Sequence, residues 1–144
     1  MILLDANVLL YLYSSTSPFH DQARVWFEGV MDKRVDVALA LPTISAFLRV
    51  TTHRGIRHQP AEMDQAIAVI DELLSHSNVH LLIESPAHWP ILKDLLKDAQ
   101  ITGNMVSDAV VAALAIEHGA ALCTNDRDFS RFSQLRIVNP FTRQ

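Results

Sequence analysis

The fold turns on Ser107-Asp108-Ala109-Val110-Val111-Ala112-Ala113-Leu114-Ala115-Ile116-Glu117-His118-Gly119, continued at once by Ala120-Ala121-Leu122-Cys123-Thr124 and then Asn125-Asp126. From Ala109 to Ile116 no side chain is polar, so the helix expected over Asp108 to His118 is apolar all round and belongs inside the molecule rather than on its surface. Ser107 is placed to cap it and Gly119 to end it. Ala120 to Thr124 then reads as a short strand buried on both faces. Two acids flank this apolar passage, Asp108 at the head of the helix and Asp126 just beyond the strand. An acid at the mouth of a buried helix has a reason beyond solubility.

On either side of this passage the same alternation covers the chain. Ile2-Leu3-Leu4 is a wholly apolar run that ends in Asp5, and Val8 to Tyr13 reads as a helix. Pro18 opens a second helix in which Ala23, Trp26, Phe27 and Val30 recur at spacings of three and four. Val35 to Leu41 is a second strand stopped by Pro42, and Thr43 is placed to cap a helix over Ile44 to His53. Ala61 to His76 repeats the helical pattern with Met63, Ile67, Ile70 and Leu74 on one face. Val79 to Ile83 is a third strand, Ala87 to Ala99 a helix with Ile91, Leu92, Leu95 and Leu96 inward, and Leu135 to Val138 a fifth strand. Strands separated by helices imply parallel pairing through crossovers. The expectation is an α/β fold, a three-layer α/β/α sandwich around a parallel sheet of about five strands, with residues 1–144 as one domain.

Bulk properties narrow the function. Of the 144 residues 49% are hydrophobic, which excludes a disordered tail. No apolar run reaches the ~18 residues of a membrane span, and the opening Met1 to Asp5 lacks the basic start of a signal peptide. The one cysteine, Cys123, can form no internal disulfide and no cysteine-rich zinc site, and its place in an apolar strand predicts an inert thiol. A cytoplasmic protein is expected. Net charge is −4, so no overall polycationic field draws nucleic acid. Yet no Asp or Glu occurs from Val37 to Ala61, where Arg49, His53, Arg54, Arg57 and His58 gather. That stretch is either a local basic surface or a solvated loop that happens to be basic.

Ligands of open parallel sheets sit beyond the carboxyl ends of the strands. Asp5 follows the first strand directly and Asp126 the fourth after a short gap, so the two converge if those strands are neighbours. Asp108 opens the helix that leads into the fourth strand. From pattern alone it is expected at the opposite edge, unless that helix start projects over the end of the first strand. Singly, each acid also fits a turn or cap role. Together they do not: at ~4–5 Å and an effective dielectric near 20, each pair of carboxylates repels by about 3–4 kcal/mol, which demands a cation or a proton. All-oxygen ligation suits Mg²⁺ or Mn²⁺ rather than zinc.

Three motifs in order, Asp5-Ala6-Asn7, Asp108-Ala109, and Thr124-Asn125-Asp126-Arg127-Asp128-Phe129, resemble the PIN-domain family, and most closely its VapC group of toxin ribonucleases. The resemblance covers nearly the whole chain, including the ending Leu135-Arg136-Ile137-Val138-Asn139-Pro140. It implies a sheet in which all three acids converge, with Asp5 and Asp108 as metal-binding aspartates and Asp126 as a third acid acting through water. Asn7 would orient Asp5, with Ser107 and Thr124 in support. Asp128 is a further acid of the site or a cap of the turn through Phe132. Arg127 would meet a phosphate or pair with Asp126 or Asp128.

What the resemblance implies functionally is a Mg²⁺- or Mn²⁺-dependent endoribonuclease acting on structured RNA such as tRNA or rRNA, held in check by a VapB-like antitoxin and frequently a homodimer. Arg49, Arg54, Arg57 and Arg127 are the candidates for holding RNA or antitoxin. One departure stands out: PIN domains usually carry a glutamate on the third helix where this chain has Ala46. That leaves room for a catalytically silent binding module, and a nuclease of RNA maturation would use the same residues as a toxin. Other constellations are weaker. His53/His58 and His76/His80 have loose metal-like spacing but read as surface residues, Ser45, Ser107 and Ser130 lack a nucleophile elbow, and Trp26 and Trp89 read as core or interface anchors. A receiver- or phosphatase-like fold would require a lysine late in the sheet, and none follows Lys97.

Overall fold

Three apolar residues suffice for the central strand because both of its faces are covered. In the computed structural model, which describes residues 1–55 and 59–141, β1 spans Ile2–Leu4 and lies between β2 (Val37–Ala40) and β4 (Ala121–Cys123). With β3 (Val79–Leu82) and β5 (Ile137–Val138) they form one sheet in the order β3-β2-β1-β4-β5, and every pair is parallel. The chain therefore winds outward from β1 to β3, then returns to the other side of β1. The point where the order reverses lies between β1 and β4, whose register sets Leu4 against Cys123. This is the place where doubly wound sheets open a binding crevice.

Alternation along the strands sorts side chains into two cores. Leu3, Ala38, Ala40 and Leu122 face one layer, where they meet α5 (His88–Asp98) and α6 (Met105–Glu117). Leu4, Val37, Leu39 and Cys123 face the other, against α1 (Ala6–Tyr13), α2 (His20–Asp32), α3 (Leu41–Thr52) and α4 (Met63–Leu74). The expected three-layer α/β/α architecture is what the chain adopts. No helix among the described residues is long and apolar enough to cross a membrane.

The apolar helix is as buried as its composition requires. Ala109, Ala112, Ala113 and Ala115 of α6 are fully covered, and their small side chains let it lie close on the sheet and on α5. It ends where Gly119 takes a φ of +66°, the left-handed step that closes helices at low cost in glycine. Two expected caps are corrected. Ser107 lies inside the first turn of α6, which starts at Met105 behind Asn104, and is exposed. Thr43 lies inside α3, which starts at Leu41 straight off β2, and its hydroxyl donates to the Ala40 carbonyl at 2.9 Å. Pro42 does not hold the helix off, because its missing N–H falls in a first turn that has no use for one. On α4 the inward stripe is Ala66 and Ile70, while Met63 and Ile67 are about half exposed. The small Ala66 permits close approach to the neighbouring helices, which rotates the larger side chains outward.

Candidate metal centre

The β1–β4 pairing continues one residue past the strands. The Asp5 amide donates to the Cys123 carbonyl at 3.0 Å, so Asp5 and Thr124 stand side by side at the carboxyl edge. Thr124, 1% exposed, is the hub of the hydrogen bonding at this edge. Its hydroxyl donates to Asp5 Oδ2 at 2.7 Å and accepts from the Asp126 amide at 3.0 Å and from Asn7 Nδ2 at 3.4 Å. Asp5 Oδ1 accepts from the Ala6 amide at 2.8 Å as the N-cap of α1. Asn7 thus reaches Asp5 only through Thr124, not by the direct bond expected, and its Oδ1 is buried without a protein partner.

Asp126 caps the 3₁₀ turn α7 (Arg127–Arg131), its Oδ1 accepting from the Asp128 amide at 2.9 Å. Phe129 and Phe132 anchor that turn in the core. On its other side Asn125 donates to the Tyr11 hydroxyl at 3.3 Å and accepts from Asn139 at 3.2 Å. Tyr11 in turn packs on Phe19 at a tilt and meets Phe141 edge-on. Tyr11, Asn125 and Asn139 are bracing residues that the sequence reading missed; no spacing rule joins positions so far apart.

Asp108 arrives at the same edge. Since α6 ends shortly before β4 begins, it runs antiparallel to that strand and must start at the strand's carboxyl end. The opposite edge that pattern alone suggested is therefore corrected, and Asp108 lies at the edge where the family resemblance put it. Carboxylate oxygens of Asp108, Asp126 and Asp128 lie within 4.8 Å of one another. Asp5 stands beside this trio: burial first, and then the charge of Asp126, raise its pKa from the ordinary value against the lowering by Thr124 and Ala6. Asp108 is pushed up to about 6, first by burial and then by the charges of Asp126, Asp5 and Asp128. Four acids thus share one crevice, and among the described residues no cation pairs with any of them.

Such a site fits a hard divalent cation. Its donors are all carboxylate oxygens, the charges that bear on Asp108 are all anionic, and the unpartnered Asn7 Oδ1 suits a hydrated ion's water. Cys123, close enough for Asp5 to affect it, is not a donor: burial, then Asp5, push its thiol up to about 12, as its inert reading requires.

The remaining candidates lie elsewhere. Arg49, Arg54 and Arg127 are exposed and form no ion pair with any described residue, so Arg127 pairs with neither Asp126 nor Asp128. Arg57 and His58 fall outside the described residues. Ala46 is half-buried on α3 and shares a groove with Ser107. His80 is taken by Asp36 at 3.0 Å. Trp26 packs on the core, and Trp89 is 60% exposed.

Comparison with known proteins agrees in extent and kind. The family described as PIN domain matches residues 2–135. Ribonuclease VapC33 of Mycobacterium tuberculosis (strain ATCC 25618 / H37Rv) is 33% identical over 140 residues, which cover 97% of this chain and 98% of that protein. Ribonuclease VapC37 of the same strain is 34% identical over 140 residues, 97% of each. Among solved structures, VapBC2 from Rickettsia felis bound to a DNA fragment from its promoter superposes with a TM-score of 0.71 at 22% identity, covering 96% of this chain and 98% of that one.

Proposed function

This chain belongs to the PIN-domain family, and from that premise we propose that it is a Mg²⁺- or Mn²⁺-dependent endoribonuclease of the VapC type, the toxin of a toxin–antitoxin pair. The observation that carries the reading is the meeting of Asp5, Asp108, Asp126 and Asp128 at the β1–β4 crevice. Full-length relatives named ribonucleases support it. Structured RNA is the substrate class and a VapB-like protein the inhibitory partner, a reading that the likeness to the VapBC2 structure supports. A cytoplasmic site of action goes with both.

Asp5, Asp108 and Asp126 would hold the cation, Asp126 through water, and Asp128, clustered with Asp108 and Asp126, would join them. The ion would supply charge stabilisation at the phosphate and a more acidic water. The chain's own residues do the rest. Thr124 and Ala6 fix both Asp5 oxygens, so that this carboxylate cannot swing away when RNA enters. The bond from the Asp128 amide to Asp126 Oδ1 orients this carboxylate, which would position the attacking water and take its proton as the water oxygen bonds to phosphorus and the leaving oxygen departs, to be protonated from solvent. Exposed Arg54 and Arg127 offer cations to the RNA backbone outside the crevice.

Ala46 favours one second reading, an RNA-binding module with little catalysis. The experiment that separates the two incubates the protein with a pool of structured RNAs in Mg²⁺, Mn²⁺ or EDTA and maps the new ends. Discrete cuts that need metal support the nuclease. RNA retained without cutting under either metal supports the module.

A further inference from the structure

Beside the carboxylates a groove of about 340 Å³ is lined by Pro42, Ser45, Ala46, Arg49, Ser107 and Val110. One wall is α3, where the first four of these residues fall at spacings of three and four and so share a face; the other is the first turns of α6. Ser107 immediately precedes Asp108, so the groove adjoins the acidic centre. Its lining is the reverse of that centre in charge: one guanidinium and two hydroxyls, with no carboxylate. A glutamate in place of Ala46 would project into this groove and offer Arg49, one turn on, an internal partner. As the chain stands, Arg49 is exposed and forms no ion pair with any described residue.

We propose that this groove is a subsite for the phosphodiester next to the one that is cleaved, with Arg49 as its anchor and Ser45 and Ser107 as hydroxyl donors. The inference rests on the ribonuclease reading. An RNA strand lying across the carboxylates continues past them, and its next phosphate needs a cation that the acidic centre cannot offer. A guanidinium presents paired N–H groups that match two phosphate oxygens, and hydroxyls beside it suit a third. The size fits a phosphate with part of its sugar, not a protein helix about 10 Å across. With alanine at position 46, Arg49 keeps its guanidinium for the substrate.

The test is steady-state cleavage of a defined RNA in Mn²⁺ at several salt concentrations, by wild type, Arg49→Gln, Arg49→Lys and the control Arg24→Gln, whose arginine already pairs with Glu28. Arg49→Gln is expected to raise KM about tenfold with kcat nearly unchanged. It should also flatten the slope of log(kcat/KM) against log salt by about 0.7, the loss of one phosphate contact on a single strand. Arg49→Lys should keep the salt slope and recover part of KM, and Arg24→Gln should change neither. Unchanged KM and salt slope in a normally melting Arg49→Gln protein would overturn the subsite while leaving the nuclease standing. So would a change confined to inhibition by an acidic protein partner. If Arg49→Gln does not fold, Ser107→Ala carries the same KM test with a smaller effect. A wild type that cuts no RNA would overturn the ribonuclease reading itself, and the subsite with it.

Discussion

Thr124 donates its hydroxyl to Asp5 at 2.7 Å across the seam between β1 and β4, and the same oxygen accepts the Asp126 amide. One buried side chain thus ties the acid after the first strand to the acid after the fourth. The relationship is a product of register: Leu4 opposite Cys123 puts the next residues, Asp5 and Thr124, in reach of each other.

Thr124→Val keeps the shape and removes these two bonds together with the one from Asn7. It should destabilise the fold by about 1–3 kcal/mol, because the Asp126 amide loses its acceptor in a covered site. Metal affinity should fall about tenfold or more as Asp5 loses its orientation. Thr124→Ser should restore most of both. Urea unfolding and Mn²⁺ titration calorimetry check the pair of effects.

Asp128 belongs to the trio whose oxygens lie within 4.8 Å, although sequence alone leaves it undecided between acid and cap. Asp128→Asn should weaken Mn²⁺ binding nearly as much as Asp126→Asn. A bond made by the Asp128 backbone amide survives the change, so thermal stability should hold. Calorimetry with unchanged Mn²⁺ affinity would return Asp128 to a structural role.

Asp108 gives the site its pH dependence. Its pKa is raised from 3.8 to about 6, so the metal-free folded protein holds a proton between those values that the unfolded chain releases. Stability from this group is full below the unfolded value and is lost as pH rises through about 6. Allowing for solvent at this partly open site, the loss is about 1 kcal/mol. Asp108→Asn should remove that slope from denaturation midpoints of the metal-free protein. Since the ion competes with the proton, Mn²⁺ affinity should rise from pH 5 to pH 7.5.

Ala46→Glu restores the carboxylate that PIN domains usually carry. It should tighten Mn²⁺ binding by about tenfold, a gain of ~1.4 kcal/mol, while raising KM for RNA as the added carboxylate engages Arg49. Opposite movement of the two constants, read by calorimetry and by initial rates, separates this account from one in which position 46 is inert.

The alternation of apolar runs makes the layers, the five parallel strands and the burial of α6 legible, because a strand covered on both faces and a helix covered all round leave unmistakable composition. Asp5 and Asp126 are legible as strand-end acids. Asp108 is legible from pattern as a residue but not as a place, which only the family resemblance supplied. Its edge comes from the direction of α6: a helix that feeds a parallel strand through a few residues starts at that strand's far end. Ser107 and Thr43 read as caps from sequence, yet both helices begin a turn earlier, one behind Asn104 and one straight off β2. On α4 the stripe through Met63 and Ile67 matches the helical period as well as the true one, and only packing against a small Ala66 decides between them. The brace from Asn125 to Tyr11 joins residues 114 positions apart and has no local signature.

The most direct test is the cleavage rate of one mapped RNA as Mn²⁺ is titrated into wild type, Asp5→Asn and Asp108→Asn, all first shown to melt as folded proteins. The account expects saturable, metal-dependent cleavage by wild type and a loss of at least about a hundredfold (~2.7 kcal/mol) in each variant. Cleavage by either folded variant at the wild-type rate, or cleavage by wild type that persists in EDTA, would contradict it.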